Sequence, residues 1–139
     1  MLENDISKRI MSTEFKKILG RLTLYLQEML GMNSLPKLKF MYDKQNSEDI
    51  FGKTGDYEIS TNTIQIYVIG RHPKDILKTY CHEMIHKSQH DNNLFNINNE
   101  HDTLPGYAQR NSNMRNAERD AYSRGDILFR DFEDYMKIK

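Results

Sequence analysis

The chain has 139 residues, with twenty basic and twenty acidic side chains, no net charge at pH 7 and a single cysteine. That length suits one domain with a substantial core rather than two. The charge balance, with neither sign in a long block, argues against a nucleic-acid or anionic-membrane partner, and the lone cysteine excludes an internal disulfide. Met1-Leu2-Glu3-Asn4-Asp5 opens with acids, and no apolar run follows that would serve as a signal peptide or span a bilayer; a soluble, cytoplasmic protein is expected.

Residues 5 to 30 read as a long amphipathic helix. Ile6, Ile10, Ile18, Leu22, Leu26 and Leu30 recur at multiples of four, flanked by Met11, Phe15, Leu19 and Met29, and Gly31 ends the run. Gly20 within it fits a kink, a close helix contact or a tolerated exposed glycine. After Pro36 the period changes to two, with Leu38, Phe40 and Tyr42 on one face and Lys37, Lys39 and Met41 on the other, as in a half-buried strand. Residues 43 to 56 are polar, contain Gly52 and Gly55, and read as a surface loop. Residues 57 to 69 then predict a short strand, a turn near Thr61-Asn62 and a second strand with Ile64, Ile66 and Val68 on one face.

A second helix is expected from Pro73, a favourable first helical residue, with Asp75 suited to the positive end of the dipole. Ile76, Leu77, Tyr80, Cys81, Met84 and Ile85 share one half of its wheel, which makes Cys81 a buried structural thiol. His82 and His86 lie opposite that half. Four residues apart, they stand one above the other and can aim two imidazole nitrogens at one point, half of a tetrahedral zinc site. Glu83 points about a quarter-turn away, where it can reach a metal-held water without being a ligand. The competing reading is a surface helix with solvated histidines, and a cleft requires a further element to cover the pair.

Beyond His90 the chain turns polar and shows no clear periodicity through Pro105-Gly106 to about Ser112, a connection long enough to form a lid or cleft wall. Ser112 or Asn113 can cap a last helix from Met114 to Met136, whose apolar arc comprises Met114, Ala117, Ala121, Tyr122, Leu128, Phe129, Phe132, Tyr135 and Met136. Glu118 falls within that arc, whereas Arg119, Asp120, Ser123, Asp126, Arg130 and Asp131 fall outside it. A carboxylate facing the core side costs several kcal/mol unless a positive group meets it. A zinc ion on the two imidazoles is one such partner, and Arg110 or Arg115 is the alternative.

His82-Glu83-Met84-Ile85-His86, followed after a loop by Asn116-Ala117-Glu118-Arg119-Asp120-Ala121-Tyr122, resembles the gluzincin zinc metallopeptidases, in particular minimal single-domain bacterial and phage HExxH proteins. The order of elements resembles the zincin domain over nearly the whole chain. The resemblance implies a single α+β domain over residues 1–139, with an N-terminal helix, a small three-stranded and largely antiparallel sheet, a motif helix and a C-terminal helix. It implies Zn2+ on His82, His86 and Glu118, with Glu83 as general base for hydrolysis of a peptide bond in a peptide or protein substrate. One strand, here Thr63 to Val68 with Ile64, Gln65, Ile66 and Tyr67, would pair with extended substrate. His101 is a rival third ligand, as in SprT-like proteases, and His90 a weaker one. Tyr122, Tyr107 and Arg119 are candidates for stabilising the transition state.

The chain departs from many gluzincins in having Tyr122 where an aspartate supports a ligand histidine, leaving Asp120 or Asp126 as possible replacements. The metzincin pattern fails, with Asn92 at the third histidine position and Gln89 at the glycine. Two other functions compete with a peptidase. One is a zincin-like protein that binds metal or peptide without hydrolysis, or cleaves one dedicated partner as repressor-associated HExxH proteins do. The other is a helical interaction module in which the motif is accidental.

Overall fold

The computed structural model describes residues 12–96 and 107–138. Among the described residues it is an α+β fold of four helices and a three-stranded mixed sheet. Helix α1 spans Thr13–Leu30. Ser12 is extended and its side-chain oxygen accepts from the Phe15 amide at 3.1 Å, so the cap interrupts the helix expected from residue 5; Ile6, Ile10 and Met11 lie outside the described residues. At the other end Gly31 takes φ 64°, and the Met32 amide bonds back to the Gln27 carbonyl at 3.0 Å. That closure tucks the Met32 side chain into the core. Gly20 is exposed and a Cβ there would meet nothing within 4 Å, so it makes no close helix contact.

Strand β1 is Lys37–Met41, one residue shorter than expected, and leaves Tyr42 exposed. The expected loop contains a short helix α2, Lys44–Glu48, because the Asp43 carboxylate caps the Asn46 amide at 3.0 Å. The loop's end already belongs to β2, Gly55–Glu58. A 3-10 turn at Ile59–Thr61, closed by Asn62 at φ 51°, leads into β3, Thr63–Tyr67. Strand order is β1-β3-β2. The hairpin β2–β3 is antiparallel, whereas β1 runs parallel to β3, Leu38 opposite Ile64 and Phe40 opposite Ile66. The sheet is therefore mixed: α2 and the loop after it carry the chain across, and the hairpin returns β3 to the middle.

Helix α3, Pro73–Asp91, is the centre of the molecule and touches α1, β2, β3 and the last helix. The His72 ring caps the Lys74 amide at 3.0 Å. The expected apolar half is buried throughout: Ile76, Leu77, Tyr80, Cys81 and Met84 join one core with Leu22 and Leu26 of α1, Ile64 and Ile66 of β3 and Val68 just after it, while Ile85, equally buried, faces Gly125 of the last helix. Arg71 ties the sheet to this helix through bonds to the Thr54, Tyr67 and Asp75 carbonyls and to the Thr79 hydroxyl. Leu94–Asn96 forms a further 3-10 turn, with Phe95 at φ 60°.

The last helix, α4, runs from Tyr107 to Ile138, so Ser112 and Asn113 lie inside it and do not cap it. Ala108, Gln109 and Arg110 are good helix formers, and the start moves back towards Pro105-Gly106. The expected long loop is shortened accordingly, and residues 97–106 of it lie outside the described residues. Ala117, Ala121, Phe129 and Phe132 are buried as expected, but Met114, Tyr122 and Tyr135 are largely exposed. The helices α3 and α4 run antiparallel, linked by Lys74–Glu133 at 3.2 Å near one end and by Gln89 near the other. They pack against each other at Gly125, where a Cβ would sit 3.7 Å from the His82 Cα. Among the described residues no helix is long and apolar enough to cross a membrane.

Candidate metal centre

The second half of α3 is enclosed on most sides. The covering element that the histidine pair requires is α4. Glu83, on the neighbouring face, is buried beneath β2, and a Cβ on Gly55 would stand 3.5 Å from its Cγ. The same Cβ would be 2.7 Å from Thr79 Cγ2 and 3.0 Å from the Gln65 carbonyl, so only glycine lets the strand lie this close.

His82 and His86 have their Nε2 atoms 3.2 Å apart. Glu118, projected from α4, places Oε1 3.6 Å from His82 Nε2 and in direct contact with His86 Nε2. Among the described residues this is the group of three that could hold a metal ion, with all ligand atoms within 4.8 Å of one another. Ligands about 2.0–2.1 Å from a tetrahedral centre stand roughly 3.3–3.4 Å apart, close to the 3.2 and 3.6 Å separations here, whereas the Glu118–His86 contact is shorter and has to open to admit an ion. The donor chemistry fits as well. His86 Nδ1 faces the Gln89 side-chain oxygen at 2.9 Å, which requires Nδ1 to carry a hydrogen. Two imidazole nitrogens and a carboxylate oxygen then converge, and a shared hydrogen or a metal ion must sit among them.

The electrostatics agree. His82 and His86 hold the Glu118 carboxyl well below the usual carboxylate range. Burial opposes a charge on His86, but its bonds to Glu118 and Gln89 and the field of Glu83 outweigh that, and its pKa rises. Burial pushes the Glu83 carboxyl up to about 7 in the metal-free protein, against the lowering fields of His86 and His82. A carboxyl poised near neutrality is suited to taking and returning a proton.

Glu118 does not take the core-facing position that its place on the helix wheel implies. Its side chain is 53% exposed at the mouth of the site and is not turned into the core, so burial does not dictate its partner. Its carboxylate meets the imidazoles, while Arg115 is exposed and the side chain of Arg110 is outside those described. His101 is likewise outside the described residues. His90 lies against the Tyr57 ring, centroids 6.4 Å apart, and is not in the cluster. Tyr122 stacks obliquely on His82 at 4.4 Å, Arg119 is exposed, and the Tyr107 side chain is not among those described.

Strand β3 cannot take a substrate strand along Ile64, Gln65, Ile66 and Tyr67, because β1 and β2 occupy both of its edges. Among the described residues, the strand beside Glu83 that is bonded on one side only is β2. Support for the histidines also differs from expectation. Neither Asp120 nor Asp126 bonds to an imidazole directly; Gln89, fully buried, bonds His86 and passes the contact to Asp120 at 2.9 Å. Sequence carried a signal for it, since Gln89 lies three residues after His86 and seven after His82, on the same helical stripe. No family model, curated protein or solved structure matches this chain, so its chemistry is argued from the site.

Proposed function

We propose that the chain is a zinc-dependent peptidase of zincin-like type, with zinc held by His82, His86 and Glu118 and with Glu83 as general base. The observation that carries this reading is the convergence of two imidazole nitrogens and a carboxylate oxygen from a separate helix, with a buried carboxyl pushed up to about 7 beside them. When bound, the ion supplies the Lewis acidity that makes water a nucleophile near neutral pH and polarises a peptide carbonyl. Glu83 takes the proton from that water and later returns it to the departing amine. The enclosing β2 and α4 limit the water around Glu83, which keeps the group basic enough for its task.

An extended peptide would lie along the open edge of β2, Gly55–Glu58, where main-chain donors and acceptors pair with it as an added strand. Tyr122, stacked on His82 and 63% exposed, stands at the mouth of the same site and can donate its phenolic hydrogen to a developing oxyanion. Retention of Glu83 favours hydrolysis over binding alone, since holding zinc does not require a carboxylate beside the first histidine.

Elemental analysis of the purified chain and a cleavage screen against a peptide library, with and without chelator, test the reading. Stoichiometric zinc and chelator-sensitive cleavage are expected, and metal-free chain that binds no added zinc overturns it.

A further inference from the structure

We propose that Gln89 is the positioning residue of the metal centre: its one amide fixes which nitrogen His86 presents and holds α4 at the register that brings Glu118 to the imidazoles. The inference rests on the metal reading of the site and names a residue that reading does not require.

The side chain of Gln89 is fully buried between α3 and α4, and all its partners lie close. Its Nε2 donates to the Ala117 carbonyl and to Asp120 Oδ2, both at 2.9 Å. Arg124 grips that carboxylate through two bonds of 2.8 and 2.7 Å, which keeps it an acceptor and fixes its orientation. A carbonyl and a carboxylate only accept, so the amide cannot be reversed: its NH2 must face α4 and its oxygen must face His86. That oxygen stands 2.9 Å from Nδ1 and dictates a hydrogen there, which leaves Nε2 as the nitrogen offered to the ion. The Ala117 carbonyl belongs to the residue preceding Glu118, so the same NH2 group pins the helix at the point where the third ligand leaves it.

Glutamate at this position could still accept from His86 but would place lone pairs against Ala117 and Asp120. Methionine would fill the space and make none of the three bonds. Leaving buried polar partners unsatisfied is costly, so a glutamine with every bond made is well matched to this place.

The test uses the full chain in two arms. In the metal-free protein, nitrogen-15 NMR should show the Gln89 side-chain amide protons protected from exchange and a proton on His86 Nδ1. Zinc affinity, measured by competition with a chromophoric chelator and zinc chloride, should then weaken about 10- to 100-fold in Gln89→Met. Exchange-labile Gln89 amide protons, ligation through Nδ1 in the zinc-loaded protein, or unchanged affinity in Gln89→Met overturns the proposal. Should Gln89→Met fail to fold, Asp120→Ala removes one of the two acceptors; weakening by several-fold is expected there, and unchanged affinity again overturns it. A wild-type chain that binds no zinc refutes the metal reading instead, and the two failures are distinguishable because the amide arm is read without metal.

Discussion

Replacing Glu83 by glutamine should separate what the buried carboxyl does for chemistry from what it costs the fold. Burial beneath β2 raises this carboxyl from an ordinary 4.5 to about 7 in the metal-free protein. The folded state therefore holds the Glu83 proton more tightly than the unfolded state does. Its contribution to stability is full below about pH 4.5 and is lost as pH climbs towards 7, where the folded protein must carry a buried anion; the difference amounts to about 3 kcal/mol. Glutamine has nearly the same shape and no such titration. Chelator-treated wild type and Glu83→Gln, unfolded by urea between pH 4.5 and 8.5, should diverge progressively, the variant gaining up to about 3 kcal/mol relative to its own offset at low pH. With zinc restored, the variant should keep its metal and lose peptidase activity by at least about a hundredfold. Parallel stability profiles would refute the buried-carboxyl argument, and unimpaired turnover would refute the assignment of the base.

Gly20→Ala, at an exposed interior position of α1 with open space around it, should stabilise the chain by about 0.5–1 kcal/mol in urea unfolding. Gly125→Leu should do the opposite, because Ile85 Cδ1 and the His82 Cα lie 3.6 and 3.7 Å from the new Cβ and leave no room for a larger side chain. A loss of about 1–3 kcal/mol is expected, together with weaker zinc binding as α4 carries Glu118 away, both read on the same samples by unfolding and chelator competition. Cys81 is fully buried and its thiol is pushed up to about 12 by that burial, so alkylation at pH 8 should proceed only on unfolding; rapid labelling of native protein would contradict its placement.

Much of the site was legible in local spacing. His82 and His86 share a stripe because they are four residues apart on one helix, and the apolar half of that helix could be read from six residues, all of which are buried. The hairpin of β2 and β3 followed from period-two alternation around Thr61-Asn62. Other features depended on competition that spacing does not resolve. Ser12 could continue a helix or cap one, and its bond to the Phe15 amide decides for the cap. Ser112 and Asn113 had the same choice and lie within α4.

The sequence by itself determined the imidazole pair, the adjacent carboxyl and the buried face beneath them, because each follows from the geometry of a single helix. Long-range packing places Glu118 against the pair, β3 in the middle of the sheet with β2 outside it, and Gln89 between the two helices. The Glu118 and Gln89 contacts join residues 28 to 36 positions apart, and they depend on how closely helices and strands approach. Gly55 sets the approach of β2 through what it lacks, a side chain, which becomes informative only once the neighbours it would meet are in place.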